Sequence, residues 1–266
     1  MSKSRELQLH IEQLEEIRSI LNAMKNLAFM VLYKISRLQP FQSQVVTHIE
    51  NSAATFLGVY PNVIIQTHSA LPIYIVIGSE RGFCGDFNEQ LLESLANQPD
   101  AKIIAIGSRL IGKLENYAYN VLATLSGANV EEDVSQVVEK LFEQFEKLPE
   151  NQTFIALYHD YPNDAITRRQ VLPLQIPAKP SNKPLELNLP PEHFFASLLK
   201  QYLLAAVQEI LYLSLLTENR RRLQHLDGAV QHLDNQTQTL YRKSQTFRQE
   251  EITEEIEVIL LGSADF

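Results

Sequence analysis

Helix-breaking residues are confined to the middle of this chain. All twelve prolines lie between Pro40 and Pro191, and six of the nine glycines lie between Gly78 and Gly127. Residues 1–39 contain neither type, and residues 192–266 contain only Gly228 and Gly262. Such unbroken ends predict long helices. Leu7, Ile11, Leu14, Arg18, Leu21, Met24, Ala28, Val31, Ile35 and Leu38 recur every three or four residues, which is a coiled-coil seam. A second seam reads Leu223, Leu226, Val230, Leu233, Thr237, Leu240, Ser244 and Phe247, continued after a slip by Ile252, Ile256 and Ile259. Thr237 and Ser244 make it a loose one. The polar remainder, from Arg220 onward, reads as a solvated face. A helix from about Glu192 to Leu261 would be on the order of 100 Å long at ~1.5 Å per residue. Its first third is apolar nearly all round and needs a domain to bury it. The rest has one narrow stripe, and the N-terminal seam is its natural antiparallel partner.

The middle alternates short apolar runs with helical patterns. The runs are Ile73–Ile77, Lys102–Ile106, Val121–Leu125, Thr153–His159 and Gln170–Ile176; the helices between them are Glu89–Asn97, Ser108–Tyr117 and Glu131–Lys147. That alternation predicts a mainly parallel sheet with helices on its faces. The expected fold is therefore α/β with long terminal helices: an antiparallel coiled coil plus a central, Rossmann-like α/β domain. The expected division is 1–60, a coiled-coil helix and a following helix; 61–190, the α/β domain with a proline-rich connector over 177–191; and 191–266, the long C-terminal helix.

Composition narrows the function classes. A net charge of -9 argues against a nucleic-acid surface. A lone cysteine, Cys84, excludes an internal disulfide and a cysteine-based zinc site, and fits a reducing compartment. The N-terminus MSKSRELQLH carries no apolar signal segment. The most apolar stretch, Tyr202–Leu216, is 15 residues and contains Gln208 and Glu209; a membrane span needs about 20. A soluble protein is expected.

Two stretches imitate phosphate loops. Gly107–Leu114, GSRLIGKL, matches G-x-x-x-x-G-K, but Leu114 stands where a magnesium-binding hydroxyl is required. Gly78–Asn88, GSERGFCGDFN, follows an apolar run and precedes a helix, but its glycines do not have dinucleotide spacing. Asp86 suits an N-cap there and would repel a phosphate. Cys84 has no histidine near it in sequence and reads as a small buried residue. The seven histidines show no metal spacing. The residues thus indicate no catalytic, cofactor-binding or metal-binding residue.

Three stretches carry a resemblance. SERGFCGDFN (Ser79–Asn88) resembles the S-D-R-G-L-C-G-G-L-N signature of the γ subunits of F-type ATP synthases. RQEEITEEIEVILLGSA (Arg248–Ala264) resembles the family's C-terminal ending, and ILNAMKNLA (Ile20–Ala28) its I-T-K-A-M-x-M-V-A. They fall in the family's order and, with the helix–α/β–helix layout, cover essentially the whole chain. The resemblance implies a non-catalytic central stalk turning inside an α/β hexamer. It would bear on an ε subunit and a membrane c-ring, without nucleic acid, and touch the membrane only through the complex, on the cytoplasmic face of a bacterial inner membrane. It implies subunit contacts at Met24, Glu218, Arg222, Gln249, Thr253 and Glu255. It implies no cofactor, and a small apolar bearing at the tip, residues 259–266. The chain departs from the family at Glu15–Ser19, Leu21, Asn22, Asp86, Ser244 and Gln245. These departures point to a divergent bacterial type, of which the N-type ATPases are the example. The residues by themselves leave open a stand-alone coiled-coil adaptor with an α/β docking domain, and a nucleotide-dependent enzyme using Gly107–Lys113.

Overall fold

A computed structural model describes residues 3–63, 71–96, 98, 100–149, 152–177 and 185–263, with backbone alone at residues 3 and 261–263. Residues 178–184 of the expected connector and 264–266 of the expected tip lie outside this set. The chain divides into two compact units, Met1–Ala28 with Leu223–Phe266, and Phe29–Arg222.

The first unit contains the ends of two helices, α1 (Lys3–Val59) and α5 (Pro191–Ser263). Leu21, Leu226 and Val230 are buried together, with Met24, Ala229 and Leu233 packed on them. Arg18 pairs with Asp234, Lys25 with Asp227 at 3.0 Å, and the Tyr241 hydroxyl donates to Glu15 Oε1 at 2.8 Å. The partners run in opposite directions, so the coil is antiparallel. Arg18 sits in the apolar pattern yet is exposed, because its guanidinium reaches an aspartate across the seam. Ile252, Ile256 and Ile259 are also exposed. They lie further along α5 than Tyr241, which reaches Glu15 within the first few turns of α1, so the start of α1 leaves them little cover.

The second unit is a three-layer α/β fold. Its sheet has the order β3-β2-β1-β4-β5. The strands are β1 (Ile73–Ile77), β2 (Lys102–Ile106), β3 (Asn120–Leu125), β4 (Phe154–His159) and β5 (Ile166–Leu172). All neighbours are parallel except β4 and β5. Every residue of β1 is buried, as an inner parallel strand covered on both faces requires. Alternation along the strands divides the core. Ile73, Ile75 and Ile77 pack with α4 (Val134–Glu146) and with the Leu203–Leu216 stretch of α5, while Tyr74 and Val76 pack with α2 (Phe87–Leu95) and α3 (Ser108–Leu114). α5 has the length and apolarity of a membrane-crossing helix, but nearly all of its apolar run from Tyr202 to Leu216 is buried in this core.

Three expectations are corrected here. The coiled-coil helix and following helix expected within 1–60 are one helix; α1 continues through Pro40 to Val59. A proline in a helix interior costs about 3 kcal/mol, and burial of Val31 and Ile35 before it and of Val46, Ala53 and Phe56 after it outweighs that. Leu38, expected in the seam, is 43% exposed. The last strand is Ile166–Leu172 rather than Gln170–Ile176. Pro173 has no N–H to continue a ladder, and the strand instead begins in the polar sequence Ile166–Arg169, on a sheet edge where Arg168 is exposed and its neighbours are partly so.

Candidate functional site: a filled crevice at the strand ends

In a doubly wound sheet, ligands bind at the carboxyl ends of the strands where strand order reverses. Here that point lies between β1 and β4. Its first wall is the turn Gly78–Asn88. Gly78 must be glycine, because a Cβ there would lie 2.4 Å from Leu110 Cβ. Ser79 and Asn88 are buried and bond reciprocally: the Ser79 N–H donates to Asn88 Oδ1 at 2.9 Å, and Asn88 Nδ2 to Ser79 Oγ at 2.8 Å. Asp86 occupies the N-cap position of α2 but makes no capping bond. Its carboxylate takes a bond from Gln90 Nε2 at 2.6 Å and pairs with Arg221 at 3.0 Å. The Gln90 bond, aided by Arg221, holds its pKa below the usual carboxylate value.

The loop that imitates a nucleotide cradle is occupied by the chain itself. Glu80 Oε2 accepts the Ser108 N–H at 2.9 Å and the Gly127 N–H at 2.6 Å, and Glu80 Oε1 accepts the Ser108 hydroxyl at 2.7 Å. A carboxylate thus sits at the amino end of α3, where a phosphate would have to sit. Lys113 is paired with Glu89. Both partners are about two-fifths exposed, and such pairs contribute roughly 0–1 kcal/mol. Lys113→Ala is therefore expected to shift the unfolding midpoint slightly and to leave assembly and function intact. ATP titrated calorimetrically should give no saturable heat with either form; micromolar binding lost on substitution would revive the nucleotide reading.

The second wall belongs to α5. Thr217 Oγ1 donates to Asp160 O at 3.2 Å, and Arg220 Nη1 to Pro162 O at 2.7 Å. Arg221 pairs with Asp164 at 2.8 Å, donates to Gln90 Oε1 at 2.8 Å, and lies over the Phe87 ring at 5.5 Å. Arg222 donates to Gly82 O at 3.0 Å, Arg81 O at 3.2 Å and Asn219 Oδ1 at 3.0 Å, and pairs with Glu218. The reading of Arg220–Arg222 as a solvated face is thus overturned for Arg222, which is 6% exposed. Three consecutive arginines fan around the helix, and each reaches a loop carbonyl or carboxylate that needs a donor.

Beneath them His159 is fully buried and stacks on Phe87 at 4.0 Å between ring centres. Burial lowers its pKa, so the ring is neutral. Nε2 therefore carries the proton and donates to Phe87 O at 2.8 Å. Nδ1 faces Asp164 at 3.4 Å without a hydrogen bond. Cys84 is buried, and burial raises its thiol pKa; its Sγ lies 3.7 Å from Arg81 O. Cysteine and histidine thus engage separate carbonyls and do not form a nucleophile–base pair. Among the described residues no group of three His, Cys, Asp or Glu side chains could hold a metal. A cavity of about 750 Å³ lies at the opposite end of the sheet, against Phe145, Phe154, Leu174, Phe195 and Leu199, and among the described residues no histidine, cysteine, lysine or arginine lines it.

The six residues singled out in the sequence are not gathered in one place. Met24 packs beside Leu21 and Leu226. Glu218 and Arg222 are buried partners in the crevice wall. Gln249, Thr253 and Glu255 are exposed on α5, and the Thr253 hydroxyl donates back to Gln249 O at 2.8 Å. Glu80, Asn88 and Arg221 are not among the residues singled out by the sequence. The only local sign of them is a cluster of charged and amide residues around the glycines.

A family model described as ATP synthase matches residues 3–264. The chain belongs to the ATP synthase gamma family. A gamma chain from Coxiella burnetii (strain CbuG_Q212) is 24% identical over 292 aligned positions, covering 99% of both chains. One from Clostridium botulinum (strain Langeland / NCTC 10281 / Type F) is 22% identical over 201, covering 72% of this chain and 71% of the relative. Among solved structures, a chain of the Euglena gracilis mitochondrial ATP synthase rotor has a TM-score of 0.64 at 14% identity, covering 94% of this chain and 98% of that one. A Tetrahymena thermophila central stalk/c-ring chain has a TM-score of 0.58 at 15% identity, covering 79% and 99%. These two likenesses establish a shared fold. The filled crevice is thus a feature of a gamma-type α/β body, whose strand-end loops are tied to its own long helix.

Proposed function

We propose that the chain is the central rotor stalk of a rotary ATP synthase or ATPase. It is non-catalytic and couples ion flow through a membrane ring to ATP synthesis or hydrolysis in the α/β hexamer. The observation that carries this is the family match over residues 3–264, spanning both the coil and the α/β body. The physical chemistry agrees. A long antiparallel coil held by an apolar seam and cross-helix ion pairs suits a shaft, and a body whose strand-end turn is filled by its own carboxylate offers no nucleotide cradle there. The partners are the α and β subunits, an ε subunit and the c-ring, since the similar solved chains come from assemblies described as rotor, OSCP/F1/c-ring and central stalk/c-ring. The complex is membrane-associated. Bacterial relatives support a peripheral position on the cytoplasmic face of the inner membrane.

Gln249, Thr253 and Glu255 are the proposed stator contacts, being exposed polar groups on the terminal turns of α5. Met24 contributes through the seam, and Glu218 and Arg222 through the Arg81–Gly82 loop they hold. The test is co-expression with α and β subunits of the same source. One copy of the chain should join three of each, and hydrolysis should depend on it; a chain that purifies alone and ignores them is an adaptor. In the complete complex, Gln249→Ala/Thr253→Ala/Glu255→Ala should leave folding unchanged and reduce ion transport per ATP. Transport at the unsubstituted ratio would remove these three residues from the coupling set.

A further inference from the structure

Within the second unit, α1, β5 and α5 are joined by a closed ring of directional bonds at a level of α5 distinct from the crevice. Arg169 of β5 donates Nη1 to Glu209 Oε2 of α5 at 2.7 Å and Nη2 to Glu50 Oε1 of α1 at 3.0 Å. Glu209 also accepts the hydroxyl of Ser43, which returns the ring to α1 about two turns before Glu50. Gln42 Nε2 adds a bond to Ala205 O at 2.9 Å. Glu209 is buried, while Arg169 and Glu50 are partly so, at 24% and 35% side-chain exposure.

The apolar contact between α1 and α5 at this level is small. Val46, Tyr202, Ala205 and Ala206 form its buried core. Apolar contact is non-directional, and two alanines offer little relief for a neighbour to lock into. The opposite face of α5 is seated in the sheet core through Leu203, Val207 and Ile210, so it is α1 that this contact alone would leave free to turn or slide against α5 at modest cost. The planar guanidinium fork fixes both motions, because its two bonds have set directions and lead to different helices. α5 is then secured at two separate levels, at Glu209 and at Thr217–Arg222. A rod clamped at two levels transmits twist and bending load; one clamped at a single level pivots.

We propose that Arg169 is a positioning residue for torque, fixing α1 and α5 in one rotational register on the α/β body so that load passes between body and helices without slip. This rests on the rotor reading above. Removing only one member would leave a buried charge unpaired, so the informative variant is Arg169→Met/Glu209→Leu, which replaces the buried pair by apolar groups and preserves the fold. In proteoliposomes holding the complete complex, uptake of protons is followed with a pH dye and uptake of sodium with radiolabelled ion, each against ATP hydrolysed. The variant complex should assemble, hydrolyse ATP in dependence on this chain, and lose most of its ion transport per ATP. Transport at the wild-type ratio overturns the inference and leaves the rotor reading intact. A wild-type chain that does not join the hexamer overturns the rotor reading itself, and this inference with it. If the double variant does not assemble, Arg169→Lys decides by the same ratio. It keeps the charge but not the fork, so partial loss supports the role and an unchanged ratio rejects it.

Discussion

Replacing Arg222 by methionine is expected to destabilise the chain by about 3–5 kcal/mol, the usual consequence of leaving one member of a buried ion pair alone. Glu218 and Arg222 are 4% and 6% exposed. Without the guanidinium, the Glu218 carboxylate has no opposite charge, and Gly82 O, Arg81 O and Asn219 Oδ1 each lose a donor. The loss should depend on pH. Burial raises the Glu218 pKa, with Arg222 opposing it; methionine removes the opposition and raises it further. A carboxyl whose folded pKa exceeds its unfolded value binds protons preferentially in the folded state. Its contribution is most favourable below the unfolded pKa and is lost as pH rises through the folded one. The deficit relative to wild type should therefore be larger near about pH 8 than near about pH 5. Urea titrations at both values measure it. Glu218→Leu/Arg222→Met should regain most of the loss. A deficit that is flat with pH, or that the double variant does not relieve, would show that the pair's charge is not what matters there.

Gly107→Ala is the second large effect. The residue has φ +110, and a Cβ there would meet Gly78 O at 2.6 Å and both Gly78 C and Ser79 O at 2.8 Å. All three are backbone atoms, so no side chain can turn aside. The strained conformation alone costs of order 1–3 kcal/mol, and displacing the β1 turn adds to it. We expect a loss of about 3 kcal/mol or more and a poor yield of folded chain. Gly112→Ala is the internal control. It lies in α3 with nothing within 4 Å of an added Cβ, and should gain up to about 1 kcal/mol from helix propensity. Equal behaviour of the two variants would mean that the tight approach of the two turns is not required. Gly107 thus serves the meeting of two loops, although in sequence it imitates the first glycine of a phosphate-binding motif.

Much of the architecture is legible from local pattern. β1 and β2 coincide with the apolar runs IYIVI and KIIAI because inner parallel strands are buried on both faces. The terminal helices are legible because residues 1–39 hold no breaker and residues 192–266 only two glycines; the run of α1 past Pro40 is not. β5 lies four residues before its predicted place because its sequence, ITRRQVL, is polar where it begins. Its arginines serve partners elsewhere: Arg168 bonds Ser94 O, and Arg169 reaches two helices. Glu80 was illegible for the same reason. It holds Ser108, 28 residues away, and Gly127, 47 residues away, and no local pattern encodes such a bond. Arg221 and Arg222 looked solvated because a run of arginines usually is; only the folded loops reveal what receives them.

The carboxylate of Glu80 has a further consequence for a machine that works amid its own fuel. With the Ser108 and Gly127 amides already satisfied, a nucleotide gains nothing there and meets a like charge. That turn is then blind to the ratio of ATP to ADP around it, and the moving part answers there to mechanical force and not to its fuel.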